Sequence, residues 1–151
     1  MAAAALACGL GLATPALAAA ACTGEPSATK LTVQVGGVRS PAGLMAVTLY
    51  PDDAKRFLAP KGKLLRERAP TKAPVTTVCF WLPKPGQYAI AVYHDENGDR
   101  DFNRTIIGLP AEGFGFSNNP STKTGLPAFK SVRFEAGPGE TTTRITLRYL
   151  R

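Results

Sequence analysis

Leu31-Thr32-Val33-Gln34-Val35 alternates apolar and polar side chains without interruption, a period of two that suits a half-buried β-strand and not a helix. The same period returns in Met45, Val47 and Leu49, and again where Ile145, Leu147 and Tyr149 alternate with Arg144, Thr146 and Arg148. A strand is expected from about Val75 to Leu82, with Val78, Phe80 and Leu82 on one face and Cys79 on the other. The run Gln87–His94 carries Tyr88, Ile90 and Val92 on one face and Ala89 and Ala91 on the other. Apolar on both sides, it reads as a central strand. Val132 and Phe134 alternate with Arg133 and Glu135 before Gly137-Pro138-Gly139, so the last two runs are expected to form a hairpin. Fifteen glycines and thirteen prolines supply the turns, among them Gly36-Gly37 and Pro83-Lys84-Pro85-Gly86. The pattern specifies an all-β chain, a single antiparallel β-sandwich of about seven short strands with one long loop.

At 151 residues, 44% hydrophobic and 19% charged, the chain holds one folded domain and is not a disordered one. Its first 21 residues stand apart. They carry no charge, are mostly alanine with Leu6, Leu10, Leu12 and Leu17, and end in small residues after Ala16-Leu17-Ala18. That is the chemistry of a removable signal helix at 1–21, leaving a sandwich domain at 22–151 in the periplasm or secreted, with no transmembrane span. No Lys or Arg precedes Lys30, so the usual positive n-region would lie upstream of Met1. Pro15 and the weak hydrophobicity of alanine argue against a membrane-spanning helix. Of the three cysteines, Cys8 would leave with the leader. Cys22 and Cys79 would then pair in an oxidising compartment. The alternative, Cys22 as a lipidated first residue, lacks the leucine usual three positions ahead and leaves Cys79 alone.

Between the strands lie two charged segments and one long connection. Asp52–Leu58 is expected to form one or two helical turns, its aspartates at the positive end. Lys55, Arg56, Lys61, Lys63, Arg66, Arg68 and Lys72 hold seven of the 18 Lys and Arg residues. Such a basic surface suits anionic lipid or an envelope glycan, and equally a solvated loop; no nucleic-acid-binding module is recognisable. The stretch from Asp95 to Lys130 has little periodicity, and loops of that length are usually functional or disordered. It also holds Ile106, Ile107, Leu109, Phe114, Phe116 and Phe129, apolar groups expected to pack it against the body.

Within that stretch, side-chain oxygens recur at Asp95, Asn97, Asp99, Asp101 and Asn103, in a protein of net charge +7. The pattern begins like a Ca²⁺ loop, the one cofactor the sequence implies. Arg100 stands where an EF-hand has its glycine, and Ile106 where it has its bidentate glutamate. Glu112 is the acid that would close the site from further along. The competing reading is an ordinary turn, for which Asn97-Gly98 is well suited. His94, the single histidine, cannot build a Zn²⁺ site without free cysteines. Catalysis finds little support. Ser117 lies in Gly-Phe-Gly-Phe-Ser-Asn-Asn, which is not a nucleophile elbow. A glycan hydrolase would need the loop carboxylates to flank a cleft.

Two long segments carry a resemblance. They are Phe80-Trp81-Leu82-Pro83-Lys84-Pro85-Gly86-Gln87-Tyr88 and Ala91-Val92-Tyr93-His94-Asp95-Glu96-Asn97-Gly98-Asp99, joined further on by Gly108-Leu109-Pro110, Glu112–Asn119 and Pro127-Ala128-Phe129. From about Leu31 to Tyr149 the chain resembles an uncharacterised bacterial family, domain of unknown function 2141. The resemblance implies export and no known activity. The turn Leu82-Pro83-Lys84-Pro85-Gly86-Gln87-Tyr88 is also similar to that of prealbumin-like sandwiches, such as carboxypeptidase regulatory-like modules; an immunoglobulin-like arrangement is the alternative. Those modules are mostly structural or adhesive, by analogy alone. The reading that follows is a non-catalytic protein binding a ligand or partner through residues 95–129. An envelope glycan hydrolase and a basic surface-binding protein are the rivals.

Overall fold

The computed structural model describes residues 21–150. The leader read at 1–21, with its signal helix and Cys8, lies outside the described residues apart from Ala21. In chain order the strands are β1 (Thr29–Gly36), β2 (Leu44–Pro51), β3 (Leu65–Pro70), β4 (Thr76–Trp81), β5 (Gly86–Asp95) and β6 (Gly113–Phe116). A four-residue helix, α1 (Phe129–Val132), precedes β7 (Phe134–Ala136) and β8 (Gly139–Thr146). One sheet has the order β4-β1-β8, the other β3-β2-β5-β6, with β7 also paired to β5.

The two sheets pack face to face as a β-sandwich. Its core is the set the alternation selects: Leu31, Val33 and Val35 of β1, Met45, Val47 and Leu49 of β2, Val78 and Phe80 of β4, and Tyr88, Ile90 and Val92 of β5. Strand β5 is central, as its two apolar faces require. It pairs with β2 along Tyr88–Asp95 and, on its other edge, with β7 at Gly86–Tyr88 and β6 at Ala91–His94. Its second face is covered too. Ala89, Tyr50, Phe114, Phe116 and Val132 form an outer cluster, against which Phe57, Phe102 and Phe129 pack.

Three expectations are corrected and a fourth is narrowed. The last two runs do not form a hairpin: β7 joins β5 while β8 crosses to the first sheet and runs parallel to β1, from Thr29↔Gly139 to Gly36↔Thr146. Alternation says that a run is half-buried, not which edge it joins. Val132 lies in α1 instead of a strand. The basic segment holds an unforeseen strand, β3, at the edge of its sheet beside β2. Arg66, Glu67 and Arg68 hide it from a periodicity search, and charged side chains suit an edge. Asp52–Leu58, expected as one or two helical turns, makes a single turn and no helix, closed by Arg56 and Phe57 N–H groups donating to the Asp53 carbonyl (3.0 and 3.2 Å).

The N-terminal arm runs alongside β4. Thr23 N–H donates to the Cys79 carbonyl (3.0 Å) and Trp81 N–H to the Thr23 carbonyl (2.8 Å), and this places Cys22 beside Cys79 in a disulfide. The bridge spans 57 residues of sequence, so it acts mainly by restricting the unfolded chain. Replacing both cysteines by serine is expected to lower the unfolding free energy by about 2–4 kcal/mol. Denaturant titration of the oxidised protein and the double variant measures this, and coincident curves would contradict it.

Candidate functional site

Strand β5 ends in a buried acid. Successive side chains on a strand alternate faces, so Tyr88, Ile90, Val92 and His94 point into the sandwich while Ala89, Ala91, Tyr93 and Asp95 share the outer face. His94 is fully buried. Its Nε2 donates to the Ala42 carbonyl (2.7 Å), leaving Nδ1 to accept from the Tyr149 hydroxyl (2.8 Å). The histidine is thus a tie between three segments, with no ring nitrogen left for a metal. Asp95 is also fully buried. Gly43 packs so closely on it that an added Cβ would collide with the Asp95 carbonyl oxygen.

The chain leaving Asp95 winds around its own side-chain oxygens. Arg100 N–H donates to Asp95 Oδ2 (2.8 Å), Asp99 N–H to Asn97 Oδ1 (3.2 Å), and Asp101 N–H to Asp99 Oδ1 (2.8 Å). The Asn97 and Asn103 amides donate to Asp99 Oδ2 (2.8 and 2.9 Å). Those donors, the Asp101 N–H foremost, hold the Asp99 carboxyl below the usual range. Arg100 has φ +69°. The backbone therefore takes at Arg100 the left-handed turn an EF-hand reserves for glycine. Glu112, just before β6, reaches back into the loop, its Oε2 accepting from Asn103 N–H (3.1 Å).

Two oxygens of this arrangement have no partner. Asp95 Oδ1 and Glu112 Oε1 are both buried and accept no hydrogen bond. Neither acid takes part in an ion pair among the described residues. Burial pushes the Glu112 carboxyl up; Asn103 N–H pulls it down, and the negative charges of Asp95, Asp99 and Glu96 push it up again. Glu96 itself is turned away, to Arg39 (2.5 Å). Of the expected ligand residues, Asp95 and Glu112 are thus brought together under cover, while Asn97, Asp99, Asp101 and Asn103 lie at or near the exposed rim. No three His, Cys, Asp or Glu side chains converge on one point among the described residues.

The other expected residues separate by role. Arg56 holds the Gly62 and Lys63 carbonyls, Arg66 holds Thr48 Oγ1 (2.7 Å), and Arg68 holds the Arg100 carbonyl (3.2 Å). Lys55, Lys61, Lys63 and Lys72 are exposed. Ser117 is fully buried, taking the Ile90 N–H on its hydroxyl (2.9 Å) and so filling the ladder between β6 and β7. In Gly113-Phe114-Gly115-Phe116 the phenylalanines join the outer cluster, and the glycines admit Tyr149 and Ile145 against the inner face. Asn118 and Asn119 have positive φ and tie this strand's end to Arg133 and Thr146.

The expectation that the whole connection packs down is half right. Phe114 and Phe116 are buried, but Ile106 is fully exposed, Ile107 is 75% exposed, and Leu109 is exposed as well. They sit on a loop tip closed by an Arg104–Pro110 bridge, with Thr105 N–H donating to the Leu109 carbonyl and Gly108 N–H to the Thr105 carbonyl (both 2.8 Å). Sequence reasoning missed this because apolar residues without periodicity are read as core by default. The signal available was their place in a short turn between Arg104 and Pro110.

Residues 33–144 match a family described as an uncharacterised protein conserved in bacteria, domain of unknown function 2141. No curated protein matches the chain, and no solved structure does. The tie at the base of the loop is open to a direct check. Tyr149→Phe leaves His94 Nδ1 buried without a partner and is expected to cost about 1–3 kcal/mol of stability. Chemical denaturation measures it, and an unchanged midpoint would show that the His94–Tyr149 bond holds nothing.

Proposed function

Because the chain belongs to the uncharacterised bacterial family of domain of unknown function 2141, membership brings no activity with it, and we propose from the geometry an exported, non-catalytic binding protein. Its recognition surface is the 95–129 connection, and its partner is an anionic lipid surface. What supports export is the alanine-rich leader together with the Cys22–Cys79 disulfide, since such bonds persist in oxidising compartments. Among the described residues no helix is long and apolar enough to cross a membrane.

The observation that carries the reading is the apolar tip. Ile106, Ile107 and Leu109 stand out on a loop tip closed by its own hydrogen bonds. Burying one such side chain is worth about 1.5–3 kcal/mol, so the tip supplies binding energy once a partner covers it. Arg104 beside the tip and the net charge of +7 favour an anionic surface, against the acids at the base of the tip. The hydrolase alternative has one feature in its favour, the upward push on Glu112. The hollows beside Tyr50 and beside Cys79 are lined by other residues than the loop carboxylates.

A second reading rests on one of those pockets. A 350 Å³ hollow beside Tyr50 and Leu58 is edged by Lys61, Lys63 and Arg66, a complement to an acidic group of an envelope glycan or headgroup.

Sedimentation with phosphatidylglycerol vesicles separates these. Wild-type protein is expected to pellet with the vesicles, Ile106→Ser/Ile107→Ser to lose at least about tenfold in partition, and Lys61→Glu/Lys63→Glu to change little. Equal sedimentation of the isoleucine variant would overturn the tip as the surface, and loss confined to the lysine variant would favour the pocket.

A further inference from the structure

The loop that presents the tip is built around Asp95 and Glu112, and their buried, unpartnered oxygens need an explanation. A carboxylate oxygen removed from water without a donor is among the costlier things a fold can hold. Here two such oxygens occur in one loop, Asp95 Oδ1 with its residue fully buried and Glu112 Oε1 with its residue 6% exposed. Each acid spends its other oxygen on a loop N–H, of Arg100 and Asn103 respectively. No side chain donates to either oxygen: Arg39 is engaged with Glu96, and the Arg68 guanidinium donates through Nη2 to the Arg100 carbonyl while its Nε is buried without a partner.

We propose that Asp95 and Glu112 are the buried anchors of a site for one Ca²⁺-sized divalent cation, completed by oxygens of the Asn97–Asn103 loop. The assignment deepens the reading of residues 95–129 as a recognition surface, and rests on it only for its purpose. Glu112 takes the part of the acid absent at Ile106, arriving from six residues further along the chain. The two carboxylates alone do not make a cage, which agrees with the lack of any convergent group of three acids. A Ca²⁺ ion takes six to eight oxygens, amide and main-chain carbonyls and water among them. Asn97, Asp99 and Asn103 stand around the same turn, and an amide rotated about its last bond offers oxygen where it now offers nitrogen.

The donor set also chooses the metal. With His94 saturated and both described cysteines in a disulfide, only oxygen is available. Oxygen donors disfavour Zn²⁺. Mg²⁺ holds its waters and demands a tighter octahedron than a loop of mixed carboxylates and amides provides.

The cation also explains how an acidic loop approaches an anionic surface. Five acids and two arginines lie between Asp95 and Glu112, so the base of the tip repels a negative partner until a divalent ion offsets part of that charge. The ion is therefore expected to act on vesicle binding as well as on stability.

The test uses the disulfide-bonded protein, stripped with chelator and returned to 1 mM CaCl₂, MgCl₂ or ZnCl₂. Calcium is expected to raise the Tm by at least about 5 °C and to titrate calorimetrically at one equivalent, magnesium to do much less, and zinc nothing. Glu112→Gln keeps the side chain's size and its acceptor for Asn103 N–H, and is expected to weaken calcium binding at least about a hundredfold. Asp99→Asn, at an exposed position, is expected to weaken it by about tenfold. Ile106→Ser/Ile107→Ser should keep the whole calcium shift, so a failure of vesicle binding and a failure of the ion site are read separately. No shift and no heat for wild type at 5 mM calcium overturns the site, and so does unchanged affinity in both Glu112→Gln and Asp99→Asn.

Discussion

The structure depends on one strand being buried along both faces. Strand β5 carries Tyr88, Ile90 and Val92 into the sandwich and Ala89 and Ala91 outward beneath the aromatic cluster. Both of its edges are paired, to β2 on one side and to β6 and β7 on the other. A strand so enclosed cannot shift register without moving every layer. Its last two residues, His94 and Asp95, are polar and fully buried, so the fold must satisfy them where they stand. His94 is satisfied by Ala42 and Tyr149. Asp95 is satisfied by half, through Arg100 N–H.

That difference organises the rest of the site. The connection after Asp95 returns over the outer face of the sheet, pinned by Phe102, Phe114, Phe116 and Phe129. It brings Glu112 back beside the loop that Asp95 opens. Two negative groups are thereby placed close together by packing that has nothing to do with charge, and nearby backbone amides meet only part of their demand. The outer face is filled by the larger rings, and the tip at Ile106 and Ile107 stands in solvent. The buried acids and the exposed apolar tip belong to one connection.

Much of this was readable in the sequence, for physical reasons that can be named. The alternation at Leu31–Val35 and the doubly apolar Gln87–His94 run report burial directly, and β1 and β5 form there. Cys79, on the opposite face to Val78 and Phe80, was free to meet the N-terminal arm and does so. What alternation does not carry is the identity of a neighbour, so the crossing of β8 to the first sheet and its parallel pairing with β1 were out of reach. Strand β3 was missed because an edge strand of Arg66, Glu67 and Arg68 has no apolar period. The Asp95–Asn103 pattern was readable as a cation loop or a turn. The burial of Asp95 and Glu112, which bears on that choice, depends on long-range packing and was out of reach.

The most direct measurement is a crystal structure of the disulfide-bonded protein grown with calcium, with anomalous diffraction to identify the ion. The account predicts a single calcium peak about 2.3–2.6 Å from both Asp95 Oδ1 and Glu112 Oε1, with loop oxygens completing the shell. A well-ordered loop at saturating calcium, in which those two oxygens bind water or share a proton and no ion is present, would contradict it.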